Sequence, residues 1–144
     1  MENIHIERIV EMDNALISPI NALLRQLTSR DITLTESSLR HIIEDDACHL
    51  FIIYCGQEIA GMLTLGIYPS PTGRKAWIED VVVDQKHRGK GLGRQLVQYA
   101  IEYTRKLAPI TLMLTSNPAR TEANALYRSE GFEQRCTNVY KMEL

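Results

Sequence analysis

The spacing of apolar residues changes several times along the chain, and each spacing predicts one kind of element. Short apolar or alternating runs predict strands at 3–10, 48–55, 58–68, 76–83 and 109–115, with a closing strand or hairpin at 132–143. Apolar residues at helical spacing predict helices at 13–28, 36–45, 92–107 and 118–130. Residues 69–75 hold two prolines and a glycine and are predicted to form a loop.

This element order indicates an α+β fold in three layers, with helices flanking a central mixed, mostly antiparallel sheet. The helix at 92–107 joins the strands at 76–83 and 109–115, so those two strands are predicted to run parallel. Gly131 fits the position just after the last helix, and Phe132 fits the hydrophobic contact that follows such a glycine. A chain of 144 residues with no internal repeat or linker is expected to form a single domain, 1–144.

Composition narrows the function classes. The chain has 16 basic and 18 acidic residues and a net charge of −2, which disfavours a nucleic-acid partner. No apolar run approaches the roughly 18 residues of a membrane span, and the first residues contain no apolar core of a signal peptide. Three cysteines without a CxxC pair indicate reduced thiols and a cytoplasmic location. Their spacing relative to histidine predicts no metal site.

The segment 84–93, DQKHRGKGLG, connects a predicted buried strand to a predicted helix. Its three glycines remove side chains where a ligand could approach the backbone. The free amides of a helix N-terminus favour an anion, above all a phosphate or pyrophosphate. Four basic side chains add positive charge: Lys86, Arg88, Lys90 and Arg94. The segment matches neither the dinucleotide fingerprint nor the P-loop. A solvated basic turn is the alternative interpretation.

Three parts of the chain then agree with one another. They are the strand AWIEDVVV at 76–83, the turn Arg88-x-x-Gly91-x-Gly93, and ANALYRSEGF at 123–132. Together they resemble the GNAT superfamily of acetyl-CoA-dependent N-acyltransferases over residues 76–132, and the element order extends the resemblance over nearly all of the chain. The resemblance implies a GNAT-type sheet and acetyl-CoA as the acyl-donor cosubstrate.

The resemblance also implies which residues contact the coenzyme. Amides of the turn would hold the pyrophosphate, and the backbone of the preceding strand would run along the pantetheine arm. The residues so implied are Val81, Val82, Val83, Arg88, Gly89, Lys90, Gly91, Leu92, Gly93 and Arg94. Arg120 stands where many family members have Asn. Two alternatives follow: Asn117 makes a pantetheine contact, or Arg120 reaches a phosphate.

Acetyl transfer to an amine needs a proton acceptor and a proton donor. Two adjacent acids, Glu79 and Asp80, interrupt an otherwise apolar strand, which is costly unless they are paired or functional. Strand alternation places Glu79 on the face of Val81, and the resemblance makes Glu79 the general base; a salt bridge to an arginine is the alternative. Asp80 is assigned a structural role. The resemblance makes Tyr127 the general acid. The alternative is a tyrosine that serves only to pack the core.

The resulting hypothesis is direct transfer of an acetyl group to a primary amine of a small molecule or peptide. Two other functions stay open: a non-catalytic acyl-CoA-binding regulatory module, and an acetyltransferase acting on protein lysines or N-termini. Acidic residues at the end of helix 36–46 would attract a cationic amine, but an ordinary solvated helix face is the favoured explanation for them. Dimers are common in the family, so a homodimer is an option.

Overall fold

The computed structural model describes residues 3–144 and contains one five-stranded sheet with the strand order β1-β2-β3-β4-β5. The strands are β1 (Ile4–Arg8), β2 (Cys48–Cys55), β3 (Glu58–Ser70), β4 (Gly73–Val83) and β5 (Thr111–Leu114). The helices are α1 (Ile17–Leu27), α2 (Glu36–Glu44), α3 (Leu92–Arg105) and α4 (Thr121–Ser129). Neighbouring strands from β1 to β4 are antiparallel, and β4 and β5 are parallel, as predicted. The α+β class with a mixed sheet is confirmed.

Each face of the sheet carries its own apolar cluster, because successive strand residues point to opposite faces. On one face, Phe51, Leu63 and Leu65 pack with Leu96 and Val97 of α3. On the other face, α1 and α2 contribute Leu23 and Leu39, which pack with Ile52, Met62 and Val82. The sheet is therefore the middle of three layers. Within residues 3–144, no helix is both long enough and apolar enough to cross a bilayer.

A β-bulge in β4 changes the face on which its side chains lie. Met62 pairs with Val82 and Thr64 pairs with Glu79, so Leu63 lies opposite two residues of β4 instead of one. Asp80 is in the left-handed region, with φ of 53°. Because of the extra residue, Ile78 and Val81 both pack on the α3 side while Val82 packs on the α1 side. The predicted shared face of Glu79 and Val81 is wrong; Glu79 lies on the α1 and α2 face.

Next to this bulge, β3 and β4 come unusually close together. A Cβ added at Gly61 would lie 2.7 Å from the carbonyl oxygen of Val82 and 3.3 Å from the Cα of Val83. The first distance is shorter than real Cβ contacts allow, and the obstacle is backbone, which cannot rotate away as a side chain would. Only glycine fits at position 61 with the strands at this separation.

Three predicted elements differ from the structure. The loop predicted at 69–75 is a tight turn, since β3 extends to Ser70 and β4 begins at Gly73. The last helix begins at Thr121 rather than 118, because Asn117 forms a turn in which its side chain accepts from the Ala119 amide at 2.9 Å. The closing strand predicted at 132–143 is absent from the described residues. The segment alternates as a strand would, but no strand within residues 3–144 pairs with it.

The residues after α4 consequently leave large apolar side chains in solvent. Four large apolar side chains beyond position 138 are exposed: Val139, Tyr140, Met142 and Leu144. The helix end before them is well ordered by hydrogen bonds. The Gly131 amide donates to the Arg128 carbonyl and the Phe132 amide donates to the Tyr127 carbonyl, both at 3.1 Å. These two bonds form a Schellman motif, which confirms the predicted role of Gly131.

Candidate active site

A cleft opens where β4 and β5 stop pairing. The parallel ladder runs from Lys75 and Thr111 to Ile78 and Leu114, and β5 ends there while β4 continues to Val83. A cavity of about 100 Å³ lies at this point. Its lining residues come from α1, β4, the end of β5 and α4: Leu27, Ile78, Glu79, Asp80, Val81, Leu114, Thr115, Arg120 and Tyr127. The predicted base and the predicted acid therefore share one cavity.

Both carboxyl groups in the cavity favour the protonated form more than an ordinary carboxyl does. Loss of hydration raises the pKa of Glu79, and the negative charge of Asp80 raises it further. Loss of hydration also raises the pKa of Asp80. Each residue keeps substantial solvent contact over its whole surface, so the cleft withdraws water from the carboxyl groups only in part. A carboxylate with a raised pKa is a stronger proton acceptor, which suits general-base chemistry.

Tyr127 is buried, and its ring lies 6.0 Å from that of Phe132, centroid to centroid, at a steep angle. This contact joins the two residues that the Schellman motif also links, so the end of α4 fixes the tyrosine. Burial raises the pKa of Tyr127, while the positive charge of Arg120 acts in the opposite direction. Arg120 therefore lies close enough to Tyr127 to favour its phenolate.

The N-terminus of α3 is open to a ligand. Gly91 precedes the first helical residue with φ of 76°, and Gly89 has φ of 81°, a backbone conformation that side chains disfavour. A Cβ built at either glycine would meet nothing within 4 Å. No side chain of the described residues caps this terminus. The first amides of α3 thus face open space with their positive end outward.

The basic side chains of the turn are partly engaged within the protein. The Arg88 Nε donates to the Val83 carbonyl at 3.3 Å, and the Lys90 Nζ lies 3.0 Å from the His87 Nδ1. Arg94 donates to Ser129 and to Glu130 at the end of α4. These contacts fix the turn against β4 and α4. The positive charges therefore stay at the turn, but the basic side chains have less freedom to reorient toward a ligand.

The structure adds residues that sequence reasoning did not assign to the site. Leu27 and Thr115 line the cavity, although their patterns indicated only a helix core and a strand end. Asn124 donates to the carbonyls of Asn117 at 2.9 Å and Arg120 at 2.8 Å, which holds the segment before α4 in place. Asn124 lies inside the ANALYRSEGF motif, and that position was the one available signal.

A larger cavity lies apart from these groups. Its volume is about 420 Å³, and it lies between the start of α1 and the β2–β3 turn. Its lining includes three carboxyl groups and the phenol of Tyr54, but neither Glu79 nor Tyr127 and none of the residues expected to contact the coenzyme; of the basic side chains of the turn, only Lys86 reaches it. We therefore identify the smaller cavity as the candidate active site. Within the described residues, no three metal-ligating side chains come together.

Comparisons with known proteins agree with this fold. The profile of the Acetyltransferase (GNAT) family matches residues 18–132. The chain belongs to the GNAT acetyltransferase family. It is 28% identical over 128 residues to the uncharacterized N-acetyltransferase YhdJ of Bacillus subtilis (strain 168), covering 86% of this chain and 87% of that protein.

Two solved structures have the same fold. A putative acetyltransferase from Agrobacterium tumefaciens matches with a TM-score of 0.85 and 23% identity, over 96% of this chain and 99% of that one. Glucosamine-6-phosphate N-acetyltransferase from Arabidopsis thaliana matches with a TM-score of 0.81 and 22% identity, over 98% of this chain and 99% of that one.

The Asp80→Asn substitution is expected to lower the pKa of Glu79, because it removes a neighbouring negative charge that opposes ionisation. Asparagine tolerates the left-handed backbone of this position, so the bulge should remain. Side-chain carbon NMR of Glu79 during a pH titration measures the change, with Asp46→Asn in the exposed turn after α2 as the control. A Glu79 pKa that is unchanged in Asp80→Asn would contradict the prediction.

The same variant should alter the dependence of stability on pH. The pKa values of Glu79 and Asp80 are raised on folding, so the folded state holds extra protons, and stability falls as pH rises from the ordinary carboxyl range through the raised values. Asp80→Asn should make that fall shallower. Urea unfolding at several pH values measures it.

Proposed function

We propose that this protein transfers the acetyl group of acetyl-CoA directly to a primary amine. One observation carries the proposal: Glu79 and Tyr127 line a single cavity at the point where β4 separates from β5. A proton acceptor and a proton donor are thereby available in the same small cavity. Titrating the thiol released from acetyl-CoA across small amines, aminosugars and peptides tests the proposal.

Acetyl-CoA would be held by the turn before α3 and by the edge of β4. The open amides at the start of α3 suit its pyrophosphate, and the glycines leave room for phosphate oxygens to approach. Beyond Ile78, β4 has no strand partner on the β5 side within the described residues, so its backbone around Val81 is available to an amide-bearing arm, whereas the Val83 carbonyl already accepts from Arg88. Bound there, acetyl-CoA supplies an acetyl group activated as a thioester.

Glu79 accepts a proton from the attacking amine, directly or through one water molecule. The amine nitrogen forms a bond to the carbonyl carbon, and the proton that the positively charged nitrogen then carries passes to the Glu79 carboxylate. The raised pKa of Glu79 brings its basicity closer to neutral pH than that of an ordinary carboxylate. At pH values below that pKa the carboxyl is already protonated, so the rate should fall on the acid side.

Tyr127 supplies a proton to the sulfur as the carbon–sulfur bond breaks. The leaving thiolate takes the phenolic hydrogen, and the phenolate left behind is favoured by the positive charge of Arg120. We propose this role for Arg120 in addition to the phosphate contact, which is one of the two alternatives that the sequence left open at this position. Proton uptake by Glu79 and proton release by Tyr127 balance, so the products are an amide and a free thiol.

A small-molecule acceptor is the first candidate. The shared fold includes enzymes named for glucosamine-6-phosphate and for aminoglycosides, and both are small amines. Acetylation of protein lysines or N-termini is the second, and turnover with peptides but not with small amines would favour it. Coenzyme binding without turnover on any amine would favour the non-catalytic regulatory module.

We also propose a single domain, a cytoplasmic location and a homodimer. The four exposed apolar side chains beyond position 138 support a dimer, because burying them against a second copy removes them from water. Light scattering of the purified protein should give twice the chain mass of 16.4 kDa. A mass of one chain at micromolar concentration would contradict the dimer.

The Gly91→Asp substitution should abolish coenzyme binding, because it adds a negative charge at the open helix N-terminus. Coenzyme A should raise the melting temperature of the unmodified protein by mass action, and this rise should be lost in Gly91→Asp. Gly56→Asp is the matched control, since Gly56 also has a positive φ, 64°, and open space around it, but lies in the β2–β3 turn. Equal coenzyme A affinity in both folded variants would contradict the phosphate site.

The Glu79→Gln substitution keeps the shape of the side chain and removes the proton acceptor. Turnover at neutral pH should fall by roughly 10²-fold, with coenzyme A affinity little changed. High pH should rescue part of the activity, because the free amine then needs no base. Glu36→Gln, on the exposed surface of α2, serves as the control. Turnover near that of the unmodified protein at every pH would make Glu79 structural.

The Tyr127→Phe substitution removes only a hydroxyl. Turnover should fall by roughly 10- to 10³-fold while coenzyme A binding and the melting temperature change little. The matched control is Tyr99→Phe on α3, which lies outside the cavity. A tyrosine that serves only the core would give the reverse result: a loss of stability of about 1–3 kcal/mol and unaltered kinetics of the folded protein.

A further inference from the structure

Three neighbouring strands place a gap beside Glu79. Gly66 of β3 pairs with Cys48 of β2 on one side and with Trp77 of β4 on the other. Directly opposite residues share a face, so these three positions form one row on the α1 and α2 face. The next row toward the active site contains Thr64 and Glu79. The row of Cys48, Gly66 and Trp77 is called the acceptor recess below.

Glycine at position 66 is required neither by the backbone nor by packing. Its φ lies outside the left-handed region, and an added Cβ would meet nothing within 4 Å. Gly61 on the same strand differs, because there a Cβ would collide with the β4 backbone. The missing side chain at position 66 therefore leaves open space between Cys48 and Trp77 rather than relieving a clash.

Trp77 forms a wall of this space without belonging to the core. It is the only tryptophan of the chain, and it is absent from the residues that pack on either apolar cluster. Its indole Nε1 donates to the Tyr68 hydroxyl at 3.1 Å, and Tyr68 is itself 43% exposed. An indole fixed by a hydrogen bond outside the core offers a preformed surface for a ring or for a cation.

The charges on either side of the recess favour a cation. Glu79 and Asp80 lie toward the active site, and Asp45, which follows the C-terminus of α2, is near enough to Cys48 to raise the pKa of its thiol. A helix C-terminus adds negative potential at that side. Two cations are also near: the Lys75 ammonium is held by the Ser70 and Thr72 hydroxyls at the β3–β4 turn, and Arg120 lines the cavity of Glu79. The three carboxyl groups outnumber them.

The acceptor recess combines an open gap, an indole fixed by a hydrogen bond, and carboxylates on either side. We propose that it binds a second positive charge of the acceptor. The acceptor class is then a diamine, with one amine at Glu79 and the other ammonium against Trp77. Two residues along a strand separate Trp77 from Glu79, about 7 Å, and the diagonal from Glu79 to Cys48 is about 12 Å. This spacing matches linear diamines with four or more carbons. The proposal rests on the proposed acetyl transfer.

The test compares linear diamines of two to eight carbons with monoamines of equal chain length, each assayed by thiol release from acetyl-CoA. The kcat/KM ratio of diamine to monoamine should rise roughly 10-fold or more once the diamine reaches four carbons. In Gly66→Val, which fills the gap, and in Trp77→Leu, which removes the indole, that ratio should fall toward one. Each monoamine serves as the internal control of its own variant.

A second measurement needs no turnover. Because Trp77 is the only tryptophan, diamine binding should change the tryptophan fluorescence of the unmodified protein and leave that of Gly66→Val unchanged. A ratio near one in the unmodified protein, or an equal ratio in all three proteins, overturns the recess. If no amine releases thiol, the proposed function fails, and the fluorescence titration still decides whether the recess binds diamines. The coenzyme A shift in melting temperature reports that the variants are folded.

Discussion

The bulge at Asp80 is the constraint on which the rest of the site depends. One extra residue in β4 turns Glu79 to the α1 and α2 face while Val81 and Val83 return to the α3 face. Since β5 ends at Leu114, the strand beyond the bulge has backbone groups free toward the cleft. A regular strand would align Glu79 with Val81 and place the carboxyl on the side of α3. The bulge therefore places Glu79, the proposed base, on one face of the sheet and leaves the strand edge proposed for the coenzyme beyond it.

The turn before α3 is held in place by contacts on both of its sides. The side chain of Gln26 in α1 accepts from the Gln85 amide at 2.9 Å, and Arg88 donates to the Val83 carbonyl. At the far side, Arg94 connects α3 to the end of α4, the same helix end that positions Tyr127. The open N-terminus of α3 and the Tyr127 side chain belong to different elements and are thus held in a common frame, which would reduce the ordering cost of binding at the proposed site.

The sequence allowed the main elements to be predicted because their apolar spacing is local information. The parallel pair β4 and β5 and the Schellman glycine at 131 followed from pattern, and the choice of Glu79 and Tyr127 as candidate base and acid came from the resemblance. The face of Glu79 did not, because counting alternate residues cannot detect an inserted residue in the left-handed region. Leu27 was indistinguishable from a core residue on the same helical stripe.

The predicted strand at 132–143 fails for a different reason. Alternation of apolar and polar residues shows that a segment is able to form a strand. Whether it pairs depends on a free sheet edge elsewhere in the molecule or in another copy. The prolines and glycine at 69–75 likewise predicted a loop. In the structure a short turn accommodates these residues, so β3 and β4 continue almost to each other. Non-local pairing and turn length are thus the parts of this fold that local sequence left undetermined.

Gly61 makes folding and chemistry inseparable at one position. Any side chain there must push β3 away from Val82 and Val83, the residues that directly follow the bulge. Such a change would loosen the sheet and displace the strand edge beside the cleft at the same time. The effect of a substitution at position 61 on the stability of the sheet therefore cannot be separated from its effect on the cleft. A protein engineer who wishes to adapt the cleft has freedom at position 66 and none at position 61, five residues away on the same strand.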